Sequence, residues 1–159
     1  MLKITPFIFL FCLIQLPFRG LDCDDFHMDI KQDCSNTKTE DFIYSRKSRS
    51  VLIEKDSTVK YHVVFYGRKE YRLGLCTTRR FYPLHIRLLD EGKKNPVIYD
   101  NKNDDYNTTI SFAMMDTKSL IIEITPLGEK IIEDEYDVNS LRSCLGIVIY
   151  YRAAPKIGF

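Results

Sequence analysis

Tryptophan is absent from this chain, glycine and proline number only 7 and 6, and there are only three histidines. So little glycine and proline excludes a collagen-like or low-complexity chain, which depends on both. Positive and negative side chains nearly cancel, leaving a formal charge of +1. No long-range field therefore draws the protein to nucleic acid or to an anionic membrane. A Cys-x-x-Cys pair is missing, and no histidine neighbours a cysteine, so a redox dithiol and a zinc knuckle lack their ligand spacing. Neither Gly-x-Gly-x-x-Gly, a P-loop nor Gly-x-Ser-x-Gly occurs. Dinucleotide binding, phosphate cradling and the hydrolase elbow thus lose their local signatures. Nor is there an apolar run approaching the roughly 20 residues that a membrane-spanning helix needs.

What is present begins at Lys3, followed by the apolar stretch Ile4 to Leu16 and a break at Pro17-Phe18-Arg19-Gly20. A short positive start, a short apolar core and a break near a small residue form the pattern of a secretory signal peptide. The expectation is a signal over residues 1–20 and a mature single domain over 21–159, located in the periplasm, at the cell surface or outside. Gly20 suits the cleavage site and Phe18 does not, so an uncleaved N-terminal anchor is the alternative. Cys12 leaves with the signal, and the remaining four cysteines, Cys23, Cys34, Cys76 and Cys144, suit an oxidising compartment. Four cysteines allow three pairings, and sequence does not separate them. Proximity favours Cys23 with Cys34 inside the polar segment 21–48, and Cys76 with Cys144 at two strand ends. On the chain-entropy account these loops contribute about 3 and about 4 kcal/mol.

The rest reads as short strands. Val51 to Ile53, Thr58 to Tyr66, Glu70 to Cys76, Leu84 to Leu89, Pro96 to Tyr99, Thr108 to Met114, Ser119 to Thr125 and Leu145 to Tyr151 are rich in β-branched and aromatic residues. Turn-forming pairs such as Asp56-Ser57, Tyr66-Gly67 and Glu91-Gly92 separate them. Period-two alternation is plain in Leu84, Ile86 and Leu88 against His85 and Arg87. About eight strands without a helix-period segment predict an all-β, antiparallel sandwich of jelly-roll type, held by disulfides. Gly128 to Ser143 is the long acidic connection.

The Cys-Asp-Asp segment, Val-Val-Phe-Tyr-Gly-Arg-Lys-Glu-Tyr-Arg-Leu-Gly-Leu-Cys-Thr, Ile-Arg-Leu-Leu-Asp-Glu-Gly, Ile-Tyr-Asp-Asn and Ser-Cys-Leu-Gly-Ile-Val-Ile-Tyr-Tyr-Arg follow one another in this order. The arrangement resembles small exported proteins of Bacteroidetes-type bacteria and, over about Val51 to Arg152, bacterial pre-peptidase C-terminal sandwich domains. The resemblance implies an accessory, non-catalytic module of the envelope or extracellular space. It transfers no catalytic residue, and no protease domain is attached.

Four groups of residues are candidates for chemistry. Arg79, Arg80, Phe81 and Tyr82 mix cations with aromatics and could bind a glycan or an acidic partner by stacking and charge, or could simply pack over one end of the sandwich. Asn101, Asn103, Asp104 and Asp105 offer oxygen ligands to calcium, although Lys102 interrupts them and a polar connection of turn-favouring residues is the plainer reading. His27, His62 and His85 are the available bases, without a recognisable nucleophile beside them. Asn107-Thr108-Thr109 is an N-glycosylation sequon where the secretory route is eukaryotic, and Asp56-Ser57-Thr58 resembles a bacterial O-glycosylation motif. Together these predict an exported non-catalytic binding or scaffold protein whose partner is an envelope or secreted protein or a glycan. The alternatives are a carbohydrate-binding module, and an enzyme or enzyme inhibitor with an unfamiliar site.

Overall fold

Alternation along each strand becomes burial. In Leu84–Asp90, Leu84, Ile86 and Leu88 are buried while His85 and Arg87 lie between them half-exposed. The same rule places Val63 and Phe65, Tyr71 and Leu73, Leu120, Ile122 and Ile124, and Leu145, Ile147 and Ile149 in one core. The computed structural model describes residues 23–28, 41–78, 81–92, 94–128 and 141–154. The expected signal peptide, Cys34, Arg79, Arg80 and residues 129–140 of the acidic connection lie outside the described residues.

Among the described residues, nine strands form two antiparallel sheets. These are β1 (Ile43–Tyr44), β2 (Arg49–Glu54), β3 (Val59–Phe65), β4 (Lys69–Thr77), β5 (Leu84–Asp90), β6 (Val97–Asp100), β7 (Thr109–Met114), β8 (Lys118–Pro126) and β9 (Arg142–Ala153). One sheet runs β1-β9-β4-β7, with β2 also on β9, and the other runs β3-β8-β5-β6. Strands β2 to β9 therefore pair as a long ribbon folded in half, β2 on β9, β3 on β8, β4 on β7 and β5 on β6. Rolling the ribbon adds the contacts β4 on β9 and β5 on β8. This is the jelly-roll order expected from the sequence, and it buries one face of the longer strands against the opposite sheet. All eight expected strands are present, and β1 is additional.

The cysteine pairing expected from proximity is overturned. Cys23 is bonded to Cys144, with Cα atoms 5.3 Å apart across 121 residues of sequence. Cys76 is disulfide-bonded as well, and since Cys144 is taken, a Cys76–Cys144 bridge does not exist. The reason is register. Cys76 lies directly opposite Gly146, which makes Cys144 its diagonal neighbour on the same outer face. Diagonal partners stand roughly 7–8 Å apart, beyond ordinary disulfide reach, with side chains pointing the same way. Each cysteine faces whatever lies over the sheet, and at Cys144 that is the N-terminal segment. Phe26 packs there on Phe42, Cys76, Val148 and Tyr150, a second small apolar cluster outside the sandwich.

The same segment explains why β9 is buried on both faces from Ser143 to Tyr150. Phe42 is covered in turn by the guanidinium groups of Arg72 and Arg152, at 4.8 and 4.7 Å from its ring. Residues 23–28 and 41–42 thus form an outer cover for one sheet.

Electrostatics also shape the second sheet. Glu123 is buried on β8 and bridges Lys60 on β3, at 3.3 Å, to Arg87 on β5. Burial pushes its pKa up, but Arg87 and Lys60 outweigh that and hold it below the usual carboxylate value. For Asp100, burial likewise raises the pKa, and the Lys102 main-chain N–H, His85 and Arg87 together bring it lower. A group whose folded pKa is depressed stabilises the fold above its unfolded pKa and loses that contribution as pH falls through the folded value. Stability is therefore expected to hold from neutrality down to about pH 5 and to fall below about pH 4, where free carboxylates titrate. Glu123→Gln should flatten that acid limb in urea titrations. An acid limb identical to that of the unaltered protein would rule out Glu123 as a contributor.

Candidate functional site

Tyr44 pairs with Tyr150 and Arg49 pairs with Ile147, so the four residues Ser45 to Ser48 stand opposite only Val148 and Ile149. The surplus makes β1 and β2 two halves of one edge strand, broken by a wide bulge. Two buried serines pin it. The Ser45 main-chain N–H donates to the Ile149 carbonyl at 2.8 Å, and Ser48 Oγ accepts the Ile149 N–H at 2.9 Å. Bulges at sheet edges re-aim side chains, and here the re-aimed pair is Arg46 and Lys47.

Beside the bulge is an open recess of about 450 Å³. One wall is Arg46, Lys47, Ser48 and Arg49 with Ser50 and Tyr61, and the other is Asp24, Asp25 and His27. The second wall exists because Cys144 holds Cys23 on the sheet. A tight turn follows, in which Asp25 adopts a left-handed φ of 61° and its carbonyl accepts the Met28 N–H at 2.8 Å. Aspartate tolerates that conformation better than most residues.

His27 locks the two walls together. Its main-chain N–H donates to Ser50 Oγ at 2.8 Å, its Nδ1 lies 2.7 Å from the same oxygen, and its Nε2 lies 2.9 Å from the Tyr44 hydroxyl. Burial lowers the His27 pKa, only partly offset by Asp25, so the ring is neutral at neutral pH. A serine beside an imidazole is part of a catalytic dyad, but here the parts are used differently. Both ring nitrogens are engaged, neither by a carboxylate, and Ser50 Oγ already accepts a main-chain hydrogen. The pair is a clamp, because the orienting acid of a triad is not in place.

Two cations of the recess, Lys47 and Arg49, rest on aromatic rings. Lys47 Nζ is 4.3 Å from the Tyr66 ring centre and donates to the Val64 carbonyl. Arg49 lies 5.1 Å over Tyr61, whose hydroxyl donates to the Lys47 carbonyl at 2.8 Å. Lys69, adjacent on β4, lies 4.1 Å over Tyr151. Burial, and then repulsion from Lys69, lowers the Lys47 pKa. Among the described residues, none of Arg46, Lys47, Arg49 and Lys69 forms an ion pair with a carboxylate. Elsewhere the pattern is the opposite, with Lys118 on Asp90 at 3.0 Å, Arg142 on Glu54 at 2.9 Å and Arg152 on Glu70 at 2.8 Å. A ring holds a cation in place without neutralising it.

The residues singled out from the sequence are placed elsewhere. Phe81 is 4% exposed within the main core. Its ring is packed and cannot serve as a stacking platform, because Phe81 sits in a turn ahead of β5, its N–H donating to the Thr78 carbonyl at 3.0 Å, with the side chain turned into the core. Tyr82 remains at the surface, with its hydroxyl accepting the Thr77 N–H at 3.2 Å. Asn101 is fully buried at the start of a 3-10 turn, Asn101–Asp104. Its Oδ1 accepts the Ile86 N–H at 2.8 Å, and its Nδ2 donates to the carbonyls of Leu84 and Asn107 at 2.9 and 3.1 Å. Asn101 therefore clamps backbone and does not point outward with its neighbours, while Asn103 and Asp105 are exposed. Asp104 accepts the Tyr99 hydroxyl at 3.2 Å, and Tyr99 is pushed up to about 12 by burial and by Asp104. No cluster of three or more His, Cys, Asp or Glu side chains occurs among the described residues.

His62 meets Glu91 at 2.8 Å on the surface, and His85 meets Asp100 at 2.8 Å. Each is thus paired with a carboxylate at the surface. The recess itself was not foreseen. The only local signal was Ser45-Arg46-Lys47-Ser48-Arg49-Ser50, three cations spaced by serines between two aromatic or apolar runs.

No protein-family model matches the chain, and no curated protein matches its sequence. Among solved structures, PliG from Aeromonas hydrophila, a periplasmic inhibitor of g-type lysozyme, aligns with 72% of this chain and 91% of its own. The alignment has 9% identity and a TM-score of 0.46, a likeness at which no residue and no activity transfers.

Proposed function

We propose that this is an exported, non-catalytic binding protein whose recess between the N-terminal turn and the β1–β2 bulge takes a carboxylate-bearing surface of an envelope or secreted protein. The observation that carries the reading is that Arg46, Lys47 and Arg49 line one recess, Lys47 and Arg49 resting on tyrosine rings, and that none of the three is paired with a carboxylate among the described residues. Export is supported by the Met1 to Gly20 pattern and by a disulfide, which persists in oxidising compartments. The facing Asp24 and Asp25 make the recess two-signed, which favours selectivity over long-range steering and agrees with a net charge of +1.

The test is capture from envelope and secreted fractions on the immobilised mature protein, followed by titration with the purified captured protein. Truncating one side of a buried charge pair costs about 2–5 kcal/mol, so Arg46→Ala with Arg49→Ala should weaken binding at least roughly tenfold. Both side chains are exposed, so the melting temperature should stay within a degree or two of the unaltered value. Binding that survives the double substitution, or that ignores added salt, would sink this reading. A glycan captured in place of a protein would move the site away from the recess.

A further inference from the structure

We propose that Asn107 is the acceptor of an N-linked oligosaccharide, a modification site on the side of the sandwich opposite the recess. Asn107-Thr108-Thr109 is the only Asn-x-Ser/Thr sequence in the chain with a residue other than proline in the middle. It falls where such an acceptor must fall, in an exposed connection leading from the 3-10 turn into β7.

Its hydrogen bonding fits the chemistry. Asn107 Oδ1 accepts the Thr109 main-chain N–H at 2.9 Å, a turn closed within three residues. Such a turn can form in the nascent chain, before any sheet exists. A hydrogen donated to the amide oxygen stabilises the negative charge that collects there when an Nδ2 proton is removed, which makes that N–H more acidic and eases its loss as the nitrogen attacks. Asn107 also donates its main-chain N–H to the Asp104 carbonyl at 2.8 Å and lends its carbonyl to Asn101 at 3.1 Å. Its backbone is thus fixed, while Nδ2 donates to no group among the described residues. The co-substrate is a lipid-pyrophosphate-linked oligosaccharide. The bond from Nδ2 to the sugar C1 forms as the C1–O bond to pyrophosphate breaks. The lipid pyrophosphate leaves with the electron pair, and a base of the transferase takes the amide proton.

Topology makes the position consequential. The sheet orders put β2 and β3 at one side of the sandwich, with β7 and β6 at the other. A glycan on Asn107 stands beside the β6 and β7 edges, where Val97 and Ile98 are exposed, and leaves the recess at β1–β2 uncovered. Covering an open apolar edge is one of the ways a sheet avoids edge-to-edge pairing.

The experiment is secretion of the full chain from a eukaryotic cell line, with peptide mapping before and after the amidase that removes N-glycans. A one-glycan mass on the Asn107 peptide, with conversion to aspartate on release, is the expected result. Thr109→Ser should keep the modification, and Thr109→Ala should abolish it with Asn107 still in place. Secreted protein bearing unmodified Asn107 overturns the proposal, whether or not the variants are secreted. The outcome is independent of the recess and of its partner.

Discussion

Asn101→Ala should remove about 3–4 kcal/mol of folding stability, a large share of the roughly 5–15 kcal/mol of a typical domain. The side chain is fully buried and satisfies three main-chain groups, the Ile86 N–H and the carbonyls of Leu84 and Asn107. Truncation leaves all three in place without their partner, and each buried unsatisfied group costs about 1–3 kcal/mol, less where a carbonyl keeps its second lone pair occupied. The three groups belong to β5 and to the connection into β7, so the loss loosens the join between the two sheets. Asn103→Ala, exposed two residues on, should change stability by no more than about 0.5 kcal/mol. With no tryptophan in the chain, far-ultraviolet circular dichroism in urea is the suitable readout. Equal effects of the two substitutions would refute the clamp. Loss at Asn103 that appears only with added calcium would restore the cation-loop reading.

Cys23→Ser with Cys144→Ser should cost about 2–5 kcal/mol and should also abolish binding at the recess. The bridge closes a span of 121 residues, for which the chain-entropy model gives about 5 kcal/mol, with strain and residual structure lowering the measured figure. The second effect is local. Cys23 seats the turn that carries Asp24, Asp25 and His27, and without it this wall of the recess loses its covalent tie to β9 and leans on weaker contacts such as those of His27 and Phe26. Peptide mapping without reduction should return a Cys23–Cys144 peptide. A Cys76–Cys144 peptide would contradict the register argument directly. Retained recess binding after loss of the bridge would show that His27 and Phe26 suffice to seat the turn.

Much of the fold was legible because strand formation is local. Leu84, Ile86 and Leu88 announce β5 by alternation alone, and the turn residues around Asp56 and Gly67 bound β3. The site was not legible, for a reason visible in two residues. Asn101 reads like Asn103 and Asp105 in sequence, yet it alone is turned inward, because β5 passes beside it and offers unpaired backbone. Phe81 reads like Tyr82, yet one is core and the other surface, and only the packed partners separate them.

The sequence by itself determined the strand segments, the apolar face of each, and the suitability of the cysteines for an oxidising compartment. These depend on neighbours within a few residues and on composition. Tertiary structure alone decided which cysteine meets which, and that Ser45 to Ser48 bulge away from β9 with their arginine and lysine beside an acidic turn. Both depend on register between segments about 100 residues apart, Tyr44 opposite Tyr150 and Cys23 over Cys144. Register is chosen by how a whole face packs, since a shift of one residue would turn every side chain of β9 to the wrong side.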